Sequence, residues 1–120
     1  MDALSYEPER WHMVLYKTVH GSHYIGRIVG LPNEEIQLHK GLVLINKKEV
    51  GLPEKLRNLG ITYRDNHEFH KEKKEGLIVT HLMGENEYFV LGDNSAFSYD
   101  SRTFGGVKLV DIVSEVQKAE

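Results

Sequence analysis

The chain has 120 residues, of which 40% are hydrophobic and 28% are charged, proportions typical of one soluble globular domain. Its net charge of −3 provides no positive field for nucleic acid, so we expect no nucleic-acid partner. The absence of cysteine excludes disulfides, thiolate nucleophiles and cysteine-ligated zinc. No apolar run reaches the roughly 18 residues that a membrane-spanning helix needs, so none is predicted within these residues.

Short apolar segments rich in β-branched and aromatic residues, separated by polar turns, run along most of the chain. The predicted strands are 11–17, 24–30, 35–38, 42–45, 49–52, 76–83, 88–91 and 107–113. The segments His39-Lys40-Gly41 and Asn46-Lys47-Lys48 are typical of hairpin turns. With little helical periodicity, this pattern predicts a mainly β fold, a small coiled antiparallel β-sheet or barrel with little helix.

Residues 53–74 differ from the rest because they combine Pro53 with many charges and only scattered apolar side chains. We predict a variable excursion here, outside the core, with one helical turn at Glu54–Asn58. Residues 1–120 are otherwise expected to form a single domain.

Two segments, 24–32 and 88–105, carry polar side chains directly beside predicted strands. The second is a strand that leads into a loop containing Asp93, Asp100 and Arg102. Asp100 and Arg102 can pair within the loop, and Asp93 can pair with Arg27 if the two strands are neighbours. One interpretation is a structural turn whose polar groups satisfy one another.

The same residues resemble the signature boxes of type I signal peptidases. Gly92-Asp93-Asn94, then Ser98, Asp100-Ser101-Arg102 and Phe104-Gly105, is similar to the C-terminal box of that family. The segment 27–32, Arg-Ile-Val-Gly-Leu-Pro, is similar to the box that follows its general-base lysine. The match lapses across residues 51–73. The resemblance implies a β fold of the signal-peptidase type, without a metal or other cofactor.

The family uses a serine–lysine dyad, in which a neutral lysine takes the proton from the attacking serine. The resemblance places Gly26 at the lysine position, and glycine has no side chain to accept a proton. It also implies that Ser98 is the residue that supports the lysine, and that Arg27–Asp93 and Asp100–Arg102 are structural ion pairs. On this interpretation no catalytic residue is retained.

Other candidate catalytic residues are weak. His23 precedes Gly26 by three residues, so strand alternation points it to the opposite face, and His20 is predicted in the turn before it. The segment Ser5-Tyr6-Glu7-Pro8 imitates the nucleophile motif, but it fits the approach to the first strand better. We therefore expect the nucleophile position and a membrane anchor upstream of residue 1. His67 and His70 show the only metal-like spacing and are interpreted as solvated.

Two turns depart from the family pattern. The family usually has Gly-Asp where this chain has Asn33-Glu34, and again where it has Trp11-His12. These substitutions indicate loosened selection for the usual turn geometry, which is compatible with a protein that no longer catalyses cleavage.

Three functions are compatible with these features. The first is a catalytically inactive binding factor, similar to the signal-peptidase-like factors that assemble pili in Gram-positive cocci, with a pilin or other exported polypeptide and a sortase as partners. It would lie at the outer face of the cell membrane. The second is an active type I signal peptidase that removes signal peptides, and the third is a repressor-type autoprotease. A homodimer by exchange of the arm 1–17 is also expected if that arm is not held in its own sheet.

Overall fold

The computed structural model describes residues 7–39, 41–63, 80–93 and 99–116, which form short strands with little helix. The strands are β1 Met13–Lys17, β2 His23–Gly30, β3 Glu35–His39, β4 Leu42–Ile45, β5 Lys48–Val50, β6 Thr80–Leu82, β7 Glu87–Leu91, β8 Val107–Lys108 and β9 Ile112–Glu115. The helices are α1 Glu54–Asn58, α2 Ser101–Phe104 and a 3-10 turn at Leu109–Asp111. The predicted mainly β fold is confirmed. Within the described ranges no helix is long and apolar enough to cross a membrane.

The strands form two antiparallel sheets. The first has five strands in the order β8-β7-β2-β1-β9, and the second has four in the order β5-β4-β3-β6. In the second sheet the β4–β5 connection contains only Asn46 and Lys47, with φ of 52° and 69°. Positive φ at both central residues is the signature of a type I′ hairpin turn, which matches the twist of the flanking strands.

The five-stranded sheet is strongly coiled. Its two edge strands, β8 and β9, are consecutive in the chain and are joined by the 3-10 turn Leu109–Asp111 alone. In a flat sheet these edges would lie about 19 Å apart, at about 4.8 Å per strand. The four steps from Lys108 to Ile112 span at most about 14 Å. The sheet therefore curls until its edges approach, as the coiled architecture predicted.

The core has two layers, one on each face of the five-stranded sheet. The layer between the two sheets consists of Val29, Ile36, Leu38, Val43, Ile45, Tyr63, Met83, Phe89 and Leu91. The layer inside the coil consists of Val14, Tyr16, Ile28, Tyr88, Val90, Val107 and Ile112. Because successive strand residues point to opposite faces, the continuous apolar runs of β2 and β7 can supply both layers.

Two expectations need correction. The stretch 107–113 is not one strand, because the chain turns at Leu109–Asp111 and crosses from one sheet edge to the other. Residues 53–63 also contribute to the core, since Leu56 and Tyr63 are buried, although the helical turn lies at Glu54–Asn58 as predicted. The predicted excursion beyond Tyr63 lies outside the described residues.

Candidate functional site

The first ion pair joins the two boxes. β2 and β7 are neighbours with Arg27 opposite Leu91, so Asp93, just beyond β7, comes within reach of Arg27. The Arg27 Nη2 to Asp93 Oδ2 distance is 2.7 Å, and Nε also donates to both oxygens. Arg27 Nη1 further donates to the carbonyl of Trp11 at 2.8 Å. The Arg27 guanidinium thus connects three parts of the chain, which are the residues before β1, strand β2 and the end of β7.

Tyr63 is a third member of this cluster and was missed from the sequence. Its hydroxyl donates to Asp93 Oδ1 at 2.6 Å, and its side chain is fully buried. Burial and then the Asp93 carboxylate raise the pKa of Tyr63, although Arg27 opposes this. The phenol therefore stays a neutral donor. The only sequence signal was an aromatic residue after Ile61 and Thr62, within a segment interpreted as peripheral.

The second ion pair, Asp100–Arg102, is fully enclosed. Asp100 caps helix α2 by accepting the Arg102 amide at 3.1 Å, and it also accepts Arg102 Nε and Nη2 at 2.9 and 2.7 Å. The same carboxylate accepts the Gly92 amide, while Ser101 Oγ accepts the Val90 amide at 2.9 Å. These side chains satisfy backbone donors at the end of β7 and just beyond it, which the two-residue strand β8 is too short to reach.

Gly26, which the sequence resemblance places at the lysine position, is buried and closely surrounded. A Cβ atom built there would lie 2.4 Å from Val90 Cγ1, 3.2 Å from Tyr16 Cε1 and 3.4 Å from the Leu91 carbonyl oxygen. Val90 is 0% and Tyr16 is 1% exposed, so neither neighbour lies at a free surface. Among the described residues, packed side chains therefore lie where a side chain at position 26 would begin.

Tyr16, one of the neighbours of Gly26, belongs to a group of four aromatic rings. The centroid distances are 6.3 Å for Tyr16–Tyr24, 5.8 Å for Tyr24–Tyr99, 5.1 Å for Tyr99–Phe104 and 6.2 Å for Phe104–Tyr16. Tyr24 and Tyr99 are partly exposed, whereas Tyr16 is buried beneath them. Burial, with the nearby Asp100 carboxylate, raises the pKa of Tyr16. Its hydroxyl is thus protonated at neutral pH and supplies no general base.

The turns at Trp11 and Asn33 both have the backbone shape that glycine favours. Trp11 has φ 76° and Asn33 has φ 67°, both in the left-handed region. Asparagine tolerates this region, whereas tryptophan is strained there. Glu34 accepts the Leu31 amide at 2.7 Å and forms a bidentate pair with Arg10 at 2.8 Å, which fastens the turn to the arm.

The remaining predicted residues do not join this site within the described part of the chain. His23 and His20 are exposed, and His23 lies on the face of β2 opposite Gly26. Ser98, Ser5, His67 and His70 lie outside the described residues. Among the residues that are described, no group of three or more His, Asp or Glu side chains is placed to hold a metal ion.

A family model described as signal peptidase, peptidase S26, matches residues 3–119, which is nearly the whole chain. This chain belongs to the signal peptidase family, peptidase S26. The family membership predicted from the two boxes is confirmed.

Several signal peptidases are similar to this chain. Signal peptidase I V of Bacillus subtilis (strain 168) is 32% identical over 111 residues, covering 92% of this chain and 66% of that protein. Signal peptidase I of Bacillus caldolyticus is 30% identical over 113 residues, covering 89% of this chain and 58% of that protein. The chain thus spans about 60% of the length of these two relatives.

A solved structure agrees with the fold. The crystal structure of a signal peptidase I from Enterococcus faecalis V583 matches with a TM-score of 0.70 at 23% identity, covering 93% of this chain and 98% of that chain. The signal-peptidase type of β fold predicted from the sequence is therefore confirmed.

Proposed function

We propose that this signal peptidase relative does not cut peptides and instead binds an exported polypeptide as an assembly factor. The observation that carries the proposal is Gly26. The family mechanism needs a lysine amine there, and the space beside the backbone is taken by Val90 and Tyr16. The Tyr16 phenol is neutral and His23 faces away, so neither replaces the base.

The ion pairs of the family boxes support a retained binding role. Arg27–Asp93 joins the two boxes, and Asp100–Arg102 braces the second box internally. The Asp100–Arg102 pair is buried, and buried charge pairs are costly to desolvate and are weak stabilisers compared with apolar packing. Their presence therefore favours a protein that still uses the shape of this region.

Strand β2 supplies a way to bind an extended polypeptide. β1 pairs with β2 over His23 to Arg27, whereas β7 pairs with it only over Arg27 to Gly30. Among the described residues, the β7 side of residues 23–26 has no strand partner, and an added strand needs no catalytic residue. Tyr24 and Tyr99 lie beside this edge with 38% and 43% exposure. A pilin or another exported protein, handled together with a sortase at the outer face of the cell membrane, is the proposed partner.

The second candidate function is an active peptidase. It is favoured by the similar proteins, which are named signal peptidase I. A cleavage assay separates the two functions. The full-length protein is incubated with a fluorescent signal-peptide substrate, and signal peptidase I V of Bacillus subtilis serves as the active control. We expect no cleavage, and turnover by the unsubstituted protein would overturn the proposal.

Binding is tested with purified exported pilin and the immobilised full-length protein. Tyr24→Lys, beside the free edge of β2, is expected to weaken capture at least tenfold. Val110→Lys, on the 3-10 turn with 82% exposure, is the matched control and should leave capture unchanged. Equal binding by the two variants would show that the β2 edge is not the surface used.

A further inference from the structure

Gly26 lies where two sequence-distant side chains meet. Val90 belongs to β7 and pairs with Ile28 of β2, two residues along the strand from Gly26 and therefore on the same face of the sheet. Tyr16 belongs to β1, where Val14 lies directly opposite Gly26 and Tyr16 opposite Tyr24. Both side chains reach the point where a Cβ at position 26 would lie, at 2.4 and 3.2 Å.

Neither neighbour moves away easily. Val90 is fully buried, and its amide is fixed by the Ser101 hydroxyl at 2.9 Å. Its branched side chain has few rotamers, and rotation would drive a methyl group into the same packed layer. Tyr16 is held between the rings of Tyr24 and Phe104. A larger residue at position 26 would thus displace atoms on both sides.

We infer that Gly26, Val90 and Tyr16 form one packing unit, so that restoring the family lysine requires a smaller residue at position 90 as well as the change at position 26. The change to glycine then does more than remove the base, because side chains of the inner core layer pack against the Gly26 backbone. The inference rests on the proposed function only for the identity of position 26 as the lysine position. The packing itself is independent of any activity.

A double-mutant cycle measures this coupling in the full chain. The variants are Gly26→Ala, Val90→Ala and the double variant, and the readout is the midpoint of urea unfolding at constant slope. We expect Gly26→Ala to lower the midpoint clearly, and Val90→Ala to lower it through the cavity that it leaves. If the two losses were additive, the midpoint of the double variant would fall by their sum. We expect its midpoint to fall by less than that.

Gly51→Ala is the matched control, because a Cβ at Gly51 meets nothing within 4 Å. It should leave the midpoint within experimental error. If Gly26→Ala behaves like Gly51→Ala, or if the two losses simply add in the double variant, the packing unit does not exist.

The lysine itself is tested in the same way. We expect Gly26→Lys to lower the urea midpoint more than Gly26→Ala does. The double variant Gly26→Lys/Val90→Ala should have a higher midpoint than Gly26→Lys alone. A Gly26→Lys variant as stable as the unsubstituted protein would overturn the inference. Signal-peptide cleavage by the unsubstituted protein would overturn the proposed function while leaving the cycle unaffected, so the two failures are distinguishable.

Discussion

At the residue scale, Asp93 is shared by two donors that come from different parts of the chain. Arg27 approaches from β2, and Tyr63 approaches from the segment after α1, 30 residues away in sequence. The arginine was predictable, because it lies inside a box and its partner lies in the other box. The tyrosine was not, since a phenol without a nearby motif gives no indication of its partner before the chain folds.

The Tyr63 hydroxyl is expected to contribute to stability through its bond to Asp93. Tyr63→Phe keeps the ring in the core but removes the donor, and a hydrogen bond to a charged group contributes about 1.5–3 kcal/mol. We therefore expect the free energy of unfolding to fall by about 1.5 kcal/mol in urea titrations. Tyr24→Phe, at a partly exposed ring, is the control and should change it by less than about 0.5 kcal/mol.

The Asp100–Arg102 pair is expected to be more sensitive, because both side chains are enclosed, with 1% and 2% exposure. Asp100→Asn removes the charge that neutralises a buried guanidinium, and breaking such a pair costs about 3–5 kcal/mol. Thermal unfolding should show a large loss, whereas Asp111→Asn on the 3-10 turn should show little. A loss no greater than that of Asp111→Asn would mean that water or other groups compensate the charge.

At the element scale, the turn between β2 and β3 holds a non-glycine residue in a left-handed backbone. Asn33 has a φ of 67°, in the region that glycine favours. The residue type alone did not show whether the backbone adopts this shape. The path of the backbone is set by β2 and β3, which enter and leave the turn in different sheets.

Substitutions at Asn33 test the left-handed geometry. Asn33→Ala keeps the β-carbon but removes the polar side chain that lets asparagine tolerate this region, whereas Asn33→Gly also removes the β-carbon, a difference of about 1 kcal/mol. We expect the alanine variant to be less stable than the glycine variant by about that amount in chemical unfolding. Equal stabilities of the two variants would show that the turn relaxes to negative φ.

The stability that the same turn contributes depends on pH through Glu34. Burial opposes its ionised form, but hydrogen bonds from Arg10 and the Leu31 amide outweigh burial and lower the pKa of Glu34 below its ordinary value of 4.5. The ionised group therefore stabilises the fold above that ordinary value, and this stabilisation is lost as the pH falls through the lowered value.

We expect Glu34→Gln to be less stable than the unsubstituted protein at pH 7, with the difference shrinking as the pH is lowered to about 3. Urea unfolding across this range measures it. Glu49→Gln, at an exposed position of β5, is the matched control. A difference that is constant across the range would assign the effect to packing instead of charge.

At the scale of the whole molecule, the arm is held within its own sheet from Met13 onward. β1 lies between β2 and β9, and Arg27 and Arg10 fasten the residues before it. Arm exchange was expected only if the arm were not held in its own sheet. Met13–Lys17 is held in its sheet, so this part of the arm does not meet that condition. Exchange between two copies would require β1 to leave both neighbouring strands.

We accordingly expect sedimentation velocity to show one monomeric species across a wide concentration range. Central strands exchange only through extensive unfolding, so any dimer should form slowly and only under mildly denaturing conditions. A dimer that forms rapidly at neutral pH would support an interface other than arm exchange.

The amino-acid sequence by itself determined the mainly β fold, most strand positions and the family. These properties are carried by neighbouring residues, because strand alternation, turn residues and box motifs are local patterns. Only the tertiary structure decided that the Gly26 position is filled by Val90 and Tyr16, and that Tyr63 joins the Arg27–Asp93 pair. Those contacts join strands and segments distant in sequence, and they depend on sheet register and on side-chain volume in the closed core.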